Sequence, residues 1–314
     1  MPKPPGTLVM VGNFDGVHRG HQWVLRQGLE LAEQRGLVPL VLTFDPHPSV
    51  VLGRDTRAVL TPIDRKVDLL TRLSEQLGVV VEPFTHELAG ASPREFACDL
   101  LQRKLAARLV TVGQNFRFGR GRAGDAAMLA ALGQELGFEA HAEALHGDDA
   151  GTISSTRIRE LISGGEVAEA ERLLGRPHAL TGVVEHGEQM ARQLGVPSAN
   201  LGAIPELLPA RGVYAVLVDV LEGSGYRRLA PGVANVGIRP TLGAGELKVE
   251  VHALGFSGDL YGRSLRAHFV ARLRDELKFD GLEPLRAAID QDKLDAAERL
   301  AGRQPDAHAG GAWH

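Results

Sequence analysis

The first half of the chain alternates short β-branched runs with segments of helical periodicity, and this alternation limits the possible folds most. The runs are TLVMVG (7–12), LVPLVLTF (37–44), VVVEPF (79–84) and RLVTVG (108–113). Continuous apolar strands separated by helices predict an α/β domain in which helices cover both faces of a parallel sheet. Such sheets bind ligands beyond the carboxyl ends of their strands, so the ligand-binding residues are expected at those ends.

Several helices of this half have recognisable ends. Ser92 is an N-cap residue followed by proline and then by Glu95, which is placed to reach back to the cap, and Thr61-Pro62 opens another helix in a similar way. Gly36 and Gly78 stand where glycines commonly end helices. These signals predict helices between the strands, as a parallel sheet requires.

The pattern changes after about Gly175, where short alternating runs separated by turn residues replace the helices. Residues 212–243 and 247–256 predict an antiparallel sheet or small barrel. A last helix follows, with Leu285, Ala288 and Ile289 on its apolar face. We expect one domain over residues 1–178, a mostly β domain over 179–303 and a disordered tail over 304–314.

Composition excludes several classes of function. The chain has 314 residues, a net charge of -4 and a pI near 6.3, which gives no basic surface for nucleic acid. We find neither a signal peptide nor an apolar run of the roughly 20 residues that span a bilayer. Cys98 is the only cysteine, so disulfides within the chain and cysteine-rich zinc sites are excluded. We expect a cytoplasmic protein, with no nucleic-acid or membrane partner, that is a monomer or a weak homo-oligomer.

The stretch GNFDGVHRGH (12–21) joins the first predicted strand to the first predicted helix and contains His18 and His21. Glycines let the backbone approach a ligand, and the first helical turn offers free N–H groups to an anion. A zinc site would need further ligands that the neighbouring sequence does not supply. An isolated histidine here would be a capping or solvent-facing residue, but a pair in this turn favours phosphate binding.

Three further segments should meet the same edge of the sheet: FDPHP (44–48), VGQNFRFGRGRAGD (112–125) and ISSTRIRE (153–160). The last supplies hydroxyls at a helix start and the guanidinium groups of Arg157 and Arg159, which suit a polyphosphate. Ordinary N-capping by the hydroxyls and a solvated arginine-containing loop are the alternatives.

These segments, in this order, resemble the FMN adenylyltransferase half of bacterial bifunctional FAD synthetases, a branch of the nucleotidylyltransferases with a Rossmann-like sheet. The resemblance implies catalytic roles for His18, His21 and Arg159. It implies ATP or phosphate contacts at Gly12, Asn13, Phe14, Asp15, Gly20, Ser154, Ser155, Thr156 and Arg157. It implies flavin contacts at Phe44, Pro46, His47, Asn115 and Phe116, although many members have Asp where Asn115 stands.

The segment Thr181 to Gly202 resembles the entry motif of riboflavin kinases, whose Pro-Thr-Ala-Asn turn is here Pro197-Ser198-Ala199-Asn200. The resemblance implies that Ser198 and Asn200 help to hold Mg²⁺, and that Gly187 and Arg192 contact ATP phosphates. Serine keeps the oxygen ligand of threonine but lacks its stiffening methyl group, and Ala191 stands where a glycine is usual. A hairpin with a Pro-Ser turn is the alternative.

Period-two alternation in LKVEVHALGF puts Val249 and Val251 on one face of a strand and Glu250 and His252 on the other. A solvent-facing strand surface would explain this pattern equally well. By resemblance, Glu250 is the catalytic base that accepts a proton from riboflavin, while Asn235, Arg274 and Glu276 contact the flavin. The resemblance also implies a six-stranded antiparallel barrel.

We therefore expect a bifunctional enzyme that converts riboflavin and ATP to FMN, and then FMN and ATP to FAD and pyrophosphate, with Mg²⁺. Two alternatives stay open at this point. In one, a single domain is active and the other only holds substrate. In the other, the chain is a flavin or nucleotide sensor, which would have little need of Glu250 or of both histidines.

Overall fold

The computed structural model describes residues 6–53, 58–144, 146–185, 198–223, 225–238 and 247–303. Gly187, Arg192 and the predicted tail lie outside the described residues. The chain divides into two compact units, Met1–Ser154 and Ser155–His314. The predicted domain boundary after residue 178 stays a prediction.

The first unit is built on a five-stranded parallel sheet in the order β3-β2-β1-β4-β5. Its strands are β1 (Thr7–Val11), β2 (Val38–Asp45), β3 (Gly78–Pro83), β4 (Ala107–Gly113) and β5 (Glu139–Glu143). The α/β fold and the first four strands are confirmed. Strand β5 was not predicted, because its residues, EAHAE, are polar and partly exposed at the edge of the sheet.

Helices and one hairpin complete the first unit. The α-helices are α1 (Arg19–Arg35), α2 (Pro48–Val51), α3 (Ile63–Thr71), α4 (His86–Gly90), α5 (Pro93–Glu95) and α6 (Ala126–Leu136). Helix α5 continues as a π-helix (Phe96–Lys104), and a 3₁₀ turn (Arg120–Arg122) precedes α6. The hairpin consists of β6 (Gly147–Asp148) and β7 (Gly151–Thr152). Val9, Leu42 and Val110 of the sheet pack with Phe96 and Leu129 in the core.

Most of the predicted helix ends are confirmed, but Pro62 rather than Thr61 is the N-cap of α3, and α3 has no side-chain cap. Ser92 and Glu95 form the reciprocal capping box, and Gly36 ends α1 in the left-handed conformation. Gly78 was wrongly predicted to end a helix, since α3 stops at Thr71 and Gly78 begins β3. A Cβ on Gly78 would collide with Leu40 of β2, so this glycine serves the close approach of the two strands.

The second unit is a closed barrel of six antiparallel strands in the order β10-β11-β12-β9-β8-β13. The strands are β8 (His178–Glu185), β9 (Ala199–Gly202), β10 (Gly212–Glu222), β11 (Gly225–Ile238), β12 (Leu247–Ala253) and β13 (Ser264–Arg274). Helices α7 (Ser155–Ser163) and α8 (Val167–Leu174) precede the barrel, and α9 (Leu282–Leu300) follows it. This confirms the predicted barrel and terminal helix.

Side chains alternate between the inside and the outside of the barrel. Tyr214, Val249, Val251 and Phe269 fill the interior. The outer face of β10 and β13 is covered by Ala296 and Leu300 of α9, among other residues. Residues of β12 that do not fill the interior, including Glu250, therefore point outward.

Candidate active sites

The loop between β1 and α1 turns sharply at the carboxyl end of the central strand. Gly16 adopts a φ of 88°, while the non-glycine residues Phe14 and Val17 have φ values of 47° and 39°. Such backbone angles cost roughly 1 kcal/mol or more for residues with a Cβ. A Cβ on Gly12 would lie 3.0 Å from the Phe14 ring, so that position leaves little room for a side chain.

His18 caps helix α1 and is only 3% exposed. Its Nδ1 accepts a hydrogen bond of 3.2 Å from the backbone N–H of His21. An acceptor nitrogen carries no proton, so in the neutral ring the proton is assigned to Nε2, which is then a hydrogen-bond donor. The cap therefore fixes the imidazole form that can donate to a phosphate oxygen.

The rings of His18 and His21 stack with centroids 3.5 Å apart and planes 18° from parallel. Phe14 contacts His21 edge-on, at a centroid distance of 5.2 Å. Imidazole lone pairs lie in the ring plane, and two nearly parallel planes do not converge on one ion. The stack therefore favours phosphate over the zinc alternative.

Gly20 allows a close approach between the start of α1 and Ile153, the first residue of the predicted ISSTRIRE segment. A Cβ on Gly20 would lie 3.1 Å from the carbonyl oxygen of Ile153 and 3.1 Å from His18 Nδ1. Ser154 follows directly and ends the first unit, whereas Ser155, Thr156, Arg157 and Arg159 lie in the first turns of α7, in the second unit. The contribution of those four residues to this site stays a prediction.

Asp15 was predicted as an ATP contact, and the structure gives its carboxylate a second task. The carboxylate accepts hydrogen bonds from the backbone N–H groups of Leu60 (3.0 and 3.3 Å) and Thr61 (3.2 Å). Asn13 is also tied to a neighbouring strand, because its carbonyl accepts from Thr43 Oγ1 at 3.1 Å. These hydrogen bonds hold the loop between β1 and α1 in place.

The predicted flavin residues of the first unit lie on both sides of this loop. Pro46 and His47 follow β2, and Asn115 and Phe116 follow β4, which are the two neighbours of β1 in the sheet. His47 caps α2, and Phe116 stacks on Phe118 with centroids 5.5 Å apart. Phe44 is only 6% exposed and packs edge-on against Phe84, so its ring belongs to the core beneath the loop.

A row of polar side chains crosses the outer face of the barrel. Glu250 lies directly opposite Asn200 of β9 on one side and opposite Asn235 of β11 on the other. The neighbours of Glu250 along its strand, Val249 and Val251, are 0% and 1% exposed and fill the interior. Strand register thus brings together three residues that lie far apart in the sequence.

Asn200 has the chemistry of a cation ligand. Its side-chain oxygen is buried and, among the residues that the structure describes, accepts no hydrogen bond. A buried acceptor without a donor is costly, and Mg²⁺ prefers oxygen ligands of this kind. Ser198, which is half-buried, precedes Asn200 by two residues.

Arg274 and Glu276 lie on the same outer face of the barrel as Glu250. The carboxylate of Glu276 occupies the space where a Cβ on Gly237 would lie, close to Asn235. Arg274 pairs with Asp292 of α9 through two hydrogen bonds of 2.8 and 2.7 Å, and its third nitrogen donates to the Asp275 carbonyl. Asp292 was not predicted, although it continues the helical spacing of Leu285 and Ile289 and is buried.

Comparison with known proteins follows the same division of the chain. The family described as FAD synthetase matches residues 1–157, and the family described as riboflavin kinase matches residues 174–300. No helix in the described ranges combines the length and the apolar character needed to cross a bilayer.

Relatives match over nearly the whole chain. A bifunctional riboflavin kinase/FMN adenylyltransferase of Escherichia coli (strain K12) is 37% identical over 301 residues, 96% of this chain and 95% of that protein. One from Pseudomonas fluorescens is 38% identical over 309 residues, 98% and 96% of the two chains. A crystal structure described as a macrolide-efflux protein from Streptococcus pneumoniae superposes with a TM-score of 0.80, at 29% identity, over 97% of this chain and 96% of that one. Two adjoining family matches and full-length identity above one third identify the chain as a member of the bifunctional riboflavin kinase/FMN adenylyltransferase family, with the FAD synthetase domain first and the riboflavin kinase domain second.

Proposed function

We propose that FMN is adenylylated at the carboxyl edge of the parallel sheet, around His18 and His21. A phosphate oxygen of FMN attacks the α-phosphorus of ATP, and the bond to the bridging oxygen breaks as pyrophosphate leaves with the electron pair. The FMN phosphate is already anionic, so the step needs orientation and charge stabilisation more than a strong base. The observation that carries this proposal is the capped, stacked histidine pair at the start of α1.

Nε2–H of His18 would donate to a phosphate oxygen, and the N–H groups of the first turn of α1 would add to the positive field there. Arg157 and Arg159 would provide further charge from α7. Gly12, Asn13, Phe14 and Gly20 would let the nucleotide approach the backbone. Pro46, His47, Asn115 and Phe116 would contact the flavin, with Phe44 supporting them from the core.

Riboflavin would be phosphorylated on the outer face of the barrel at Glu250. The carboxylate accepts the proton of the riboflavin 5′-hydroxyl as that oxygen attacks the γ-phosphorus of ATP and ADP leaves. Asn235, Glu276 and Arg274 would contact the flavin; the register of Asn235 with Glu250 and the proximity of Glu276 to Asn235 support this assignment. Gly187 and Arg192 are proposed ATP contacts on the strength of the sequence motif alone.

Asn200 and Ser198 would hold Mg²⁺ for the kinase reaction. The buried side-chain oxygen of Asn200 supports this assignment, because a cation would supply the partner that it lacks among the described residues. Bound Mg²⁺ would offset the charge on the ATP phosphates. Glu250 faces Asn200 across the strand pair, so the base would stand next to the phosphate being transferred.

Both activities are expected in one cytoplasmic protein, a monomer or weak homo-oligomer that takes small-molecule substrates and no nucleic acid. We assign residues 1–178 to the adenylyltransferase and 179–303 to the kinase. The test is product identity. Purified protein given riboflavin, ATP and Mg²⁺ should form FMN first and FAD later, measured by chromatography with fluorescence detection.

The rival functions predict different outcomes of this assay. A chain with an inactive kinase half would make FAD from supplied FMN and nothing from riboflavin. A sensor would bind flavin or nucleotide and form neither product. Either result would contradict the corresponding half of the proposal.

A further inference from the structure

Helix α3 buries a lysine next to the adenylylation site. Lys66 is only 5% exposed, although lysine is among the residues least often buried. In the part of the chain that the structure describes, no carboxylate oxygen lies within 4 Å of its ammonium group and its side chain donates no hydrogen bond. Lys66 is therefore a largely buried lysine whose ammonium group has no direct partner among the described residues.

Two carboxylates act on Lys66 from a greater distance. Burial lowers the pKa of Lys66, while the charges of Asp15 and Asp45 raise it in opposition. Asp15 lies in the loop after β1, and Asp45 is the last residue of β2 and directly precedes Pro46 and His47. Lys66 thus interacts electrostatically with one carboxylate of the proposed nucleotide loop and with one at the start of the proposed flavin loop.

The connection between Lys66 and the nucleotide loop is built into the backbone. Leu60 and Thr61, which bind the Asp15 carboxylate through their N–H groups, lead directly into α3. Lys66 begins the hydrogen-bonded part of that helix with a 2.8 Å bond from its N–H to the Pro62 carbonyl. The position of the lysine is therefore fixed relative to the loop that precedes α1.

Phosphate groups bring several negative charges to an edge where Asp15 and Asp45 already stand. Like charges repel, and the ammonium group of Lys66 near these carboxylates offsets part of that repulsion. Neither the apolar core nor a salt bridge needs an ammonium group here. An anionic ligand above the two carboxylates does need one.

We propose that Lys66 is a positioning residue for FMN adenylylation, whose charge offsets Asp15 and Asp45 so that this edge accepts the phosphates of ATP and FMN. The inference rests on the proposed location of that reaction. The charge of Lys66 acts on the substrates through the two loops, so its removal should weaken the affinity for ATP and FMN. The kinase reaction of the same chain provides an internal reference, because it takes place in the barrel.

The test compares Lys66→Met, which keeps the length of the side chain, with Lys66→Arg, which keeps the charge. In FAD formation from FMN, Lys66→Met should raise KM for ATP and for FMN by at least about tenfold, and Lys66→Arg by no more than about threefold. FMN formation from riboflavin should stay within about twofold for both variants. An unchanged KM in a folded Lys66→Met protein, checked by circular dichroism, would overturn the inference.

A second variant covers the case in which Lys66→Met does not fold. Asp45 is exposed, so Asp45→Asn should fold, and removal of one opposing carboxylate should lower KM for ATP below that of the parent protein. In the double variant, Asp45→Asn should recover part of the affinity lost in Lys66→Met. An unchanged or raised KM in Asp45→Asn counts against the charge mechanism.

His21→Ala, assayed in parallel, separates this inference from the proposed site. If His21→Ala keeps full FAD synthesis, the location of the reaction is wrong and the Lys66 inference falls with it. If His21→Ala loses FAD synthesis while Lys66→Met keeps its KM values, only the role of Lys66 is wrong.

Discussion

Glu250 lies directly opposite Asn200 across the β9–β12 strand pair, and both side chains leave the barrel on its outer face. One residue is a proposed base and the other a proposed cation ligand. Their separation is fixed by strand register, which a one-residue slip would destroy, because it would turn Glu250 into the packed interior.

The carboxylate of Glu250 should be essential for the kinase alone. Glu250→Gln keeps the shape of the side chain but cannot accept a proton, so FMN formation from riboflavin should fall by about a hundredfold or more. FAD formation from supplied FMN should not change. Glu222→Gln, at the far end of strand β10, is the matched control and should keep both rates. Normal FMN formation by Glu250→Gln would show that Glu250 is not the base of the kinase reaction.

Asn200 should set the magnesium requirement of the same reaction. Asn200→Ala should raise the Mg²⁺ concentration needed for half-maximal FMN formation by at least about tenfold, whereas Asn200→Asp, which keeps an oxygen ligand, should change it less. Because the Asn200 oxygen accepts no hydrogen bond among the described residues, Asn200→Ala should not lower the melting temperature. Magnesium titration of both activities tests this, and an unchanged requirement would contradict it.

The two tasks of His18, capping and donation, can be separated. His18→Asn keeps a good N-cap but removes the imidazole, whereas His18→Ala removes both. Both variants should slow FAD formation by about 10²- to 10³-fold. Only His18→Ala should also lose about 1 kcal/mol of stability in thermal unfolding. Normal FAD formation by His18→Asn would mean that His18 only caps the helix and does not take part in the reaction.

The ion pair between Arg274 and Asp292 should hold α9 on the barrel. Asp292→Asn breaks a partly buried, two-bond contact and should lower the free energy of unfolding by about 1–3 kcal/mol. Asp290→Asn is the matched control, since the 3.0 Å pair of Asp290 with Lys293 is exposed, and it should cost less than about 1 kcal/mol. Calorimetry of the intact protein measures both. Equal effects would mean that the buried pair adds nothing beyond a surface contact.

Glu206 should make the second unit less stable at alkaline pH. The side chain is 3% exposed, and burial raises its pKa from 4.5 to about 7, although the Thr181 N–H and the charge of Arg266 oppose the shift. Between these two values the folded chain holds a proton that the unfolded chain releases. The stabilisation is therefore complete below pH 4.5 and is lost as the pH rises through about 7.

Glu206→Gln removes this titration while leaving an oxygen to accept from Thr181. The variant should be more stable than the parent at pH 8, by up to about 3 kcal/mol, and the difference should shrink towards pH 5. Melting temperatures across this range measure the effect, with the exposed Glu283→Gln as a control that should show no such trend. A constant difference at all pH values would argue against a raised pKa.

Periodicity was enough to predict the parallel sheet, because its strands are buried and apolar, and to place Glu250 on the face opposite Val249. It could not predict β5, whose residues are polar, nor the closure of the barrel, which depends on contacts between strands distant in the sequence. The site residues were found by motif, yet several of them also have structural tasks that the motif does not show. Asp15 binds the backbone before α3, and Phe44 packs in the core.

Buried charges were the hardest features to predict. Lys66, Glu206 and Asp292 look like surface residues in the sequence, because composition and local spacing do not show which helix face or loop another element will cover. Of these three, only Asp292 could have been detected from the sequence, because it is a polar residue at a position of the apolar stripe of α9.

The position of β13 in the barrel has a consequence for synthesis of the chain. This last strand, Ser264–Arg274, lies between β8 and β10, so the cylinder cannot close until almost the whole polypeptide has been made. The parallel sheet needs nothing beyond residue 143 and can complete its pairing while the ribosome is still translating the barrel. On a nascent chain, the half that consumes FMN would therefore be assembled before the half that produces it.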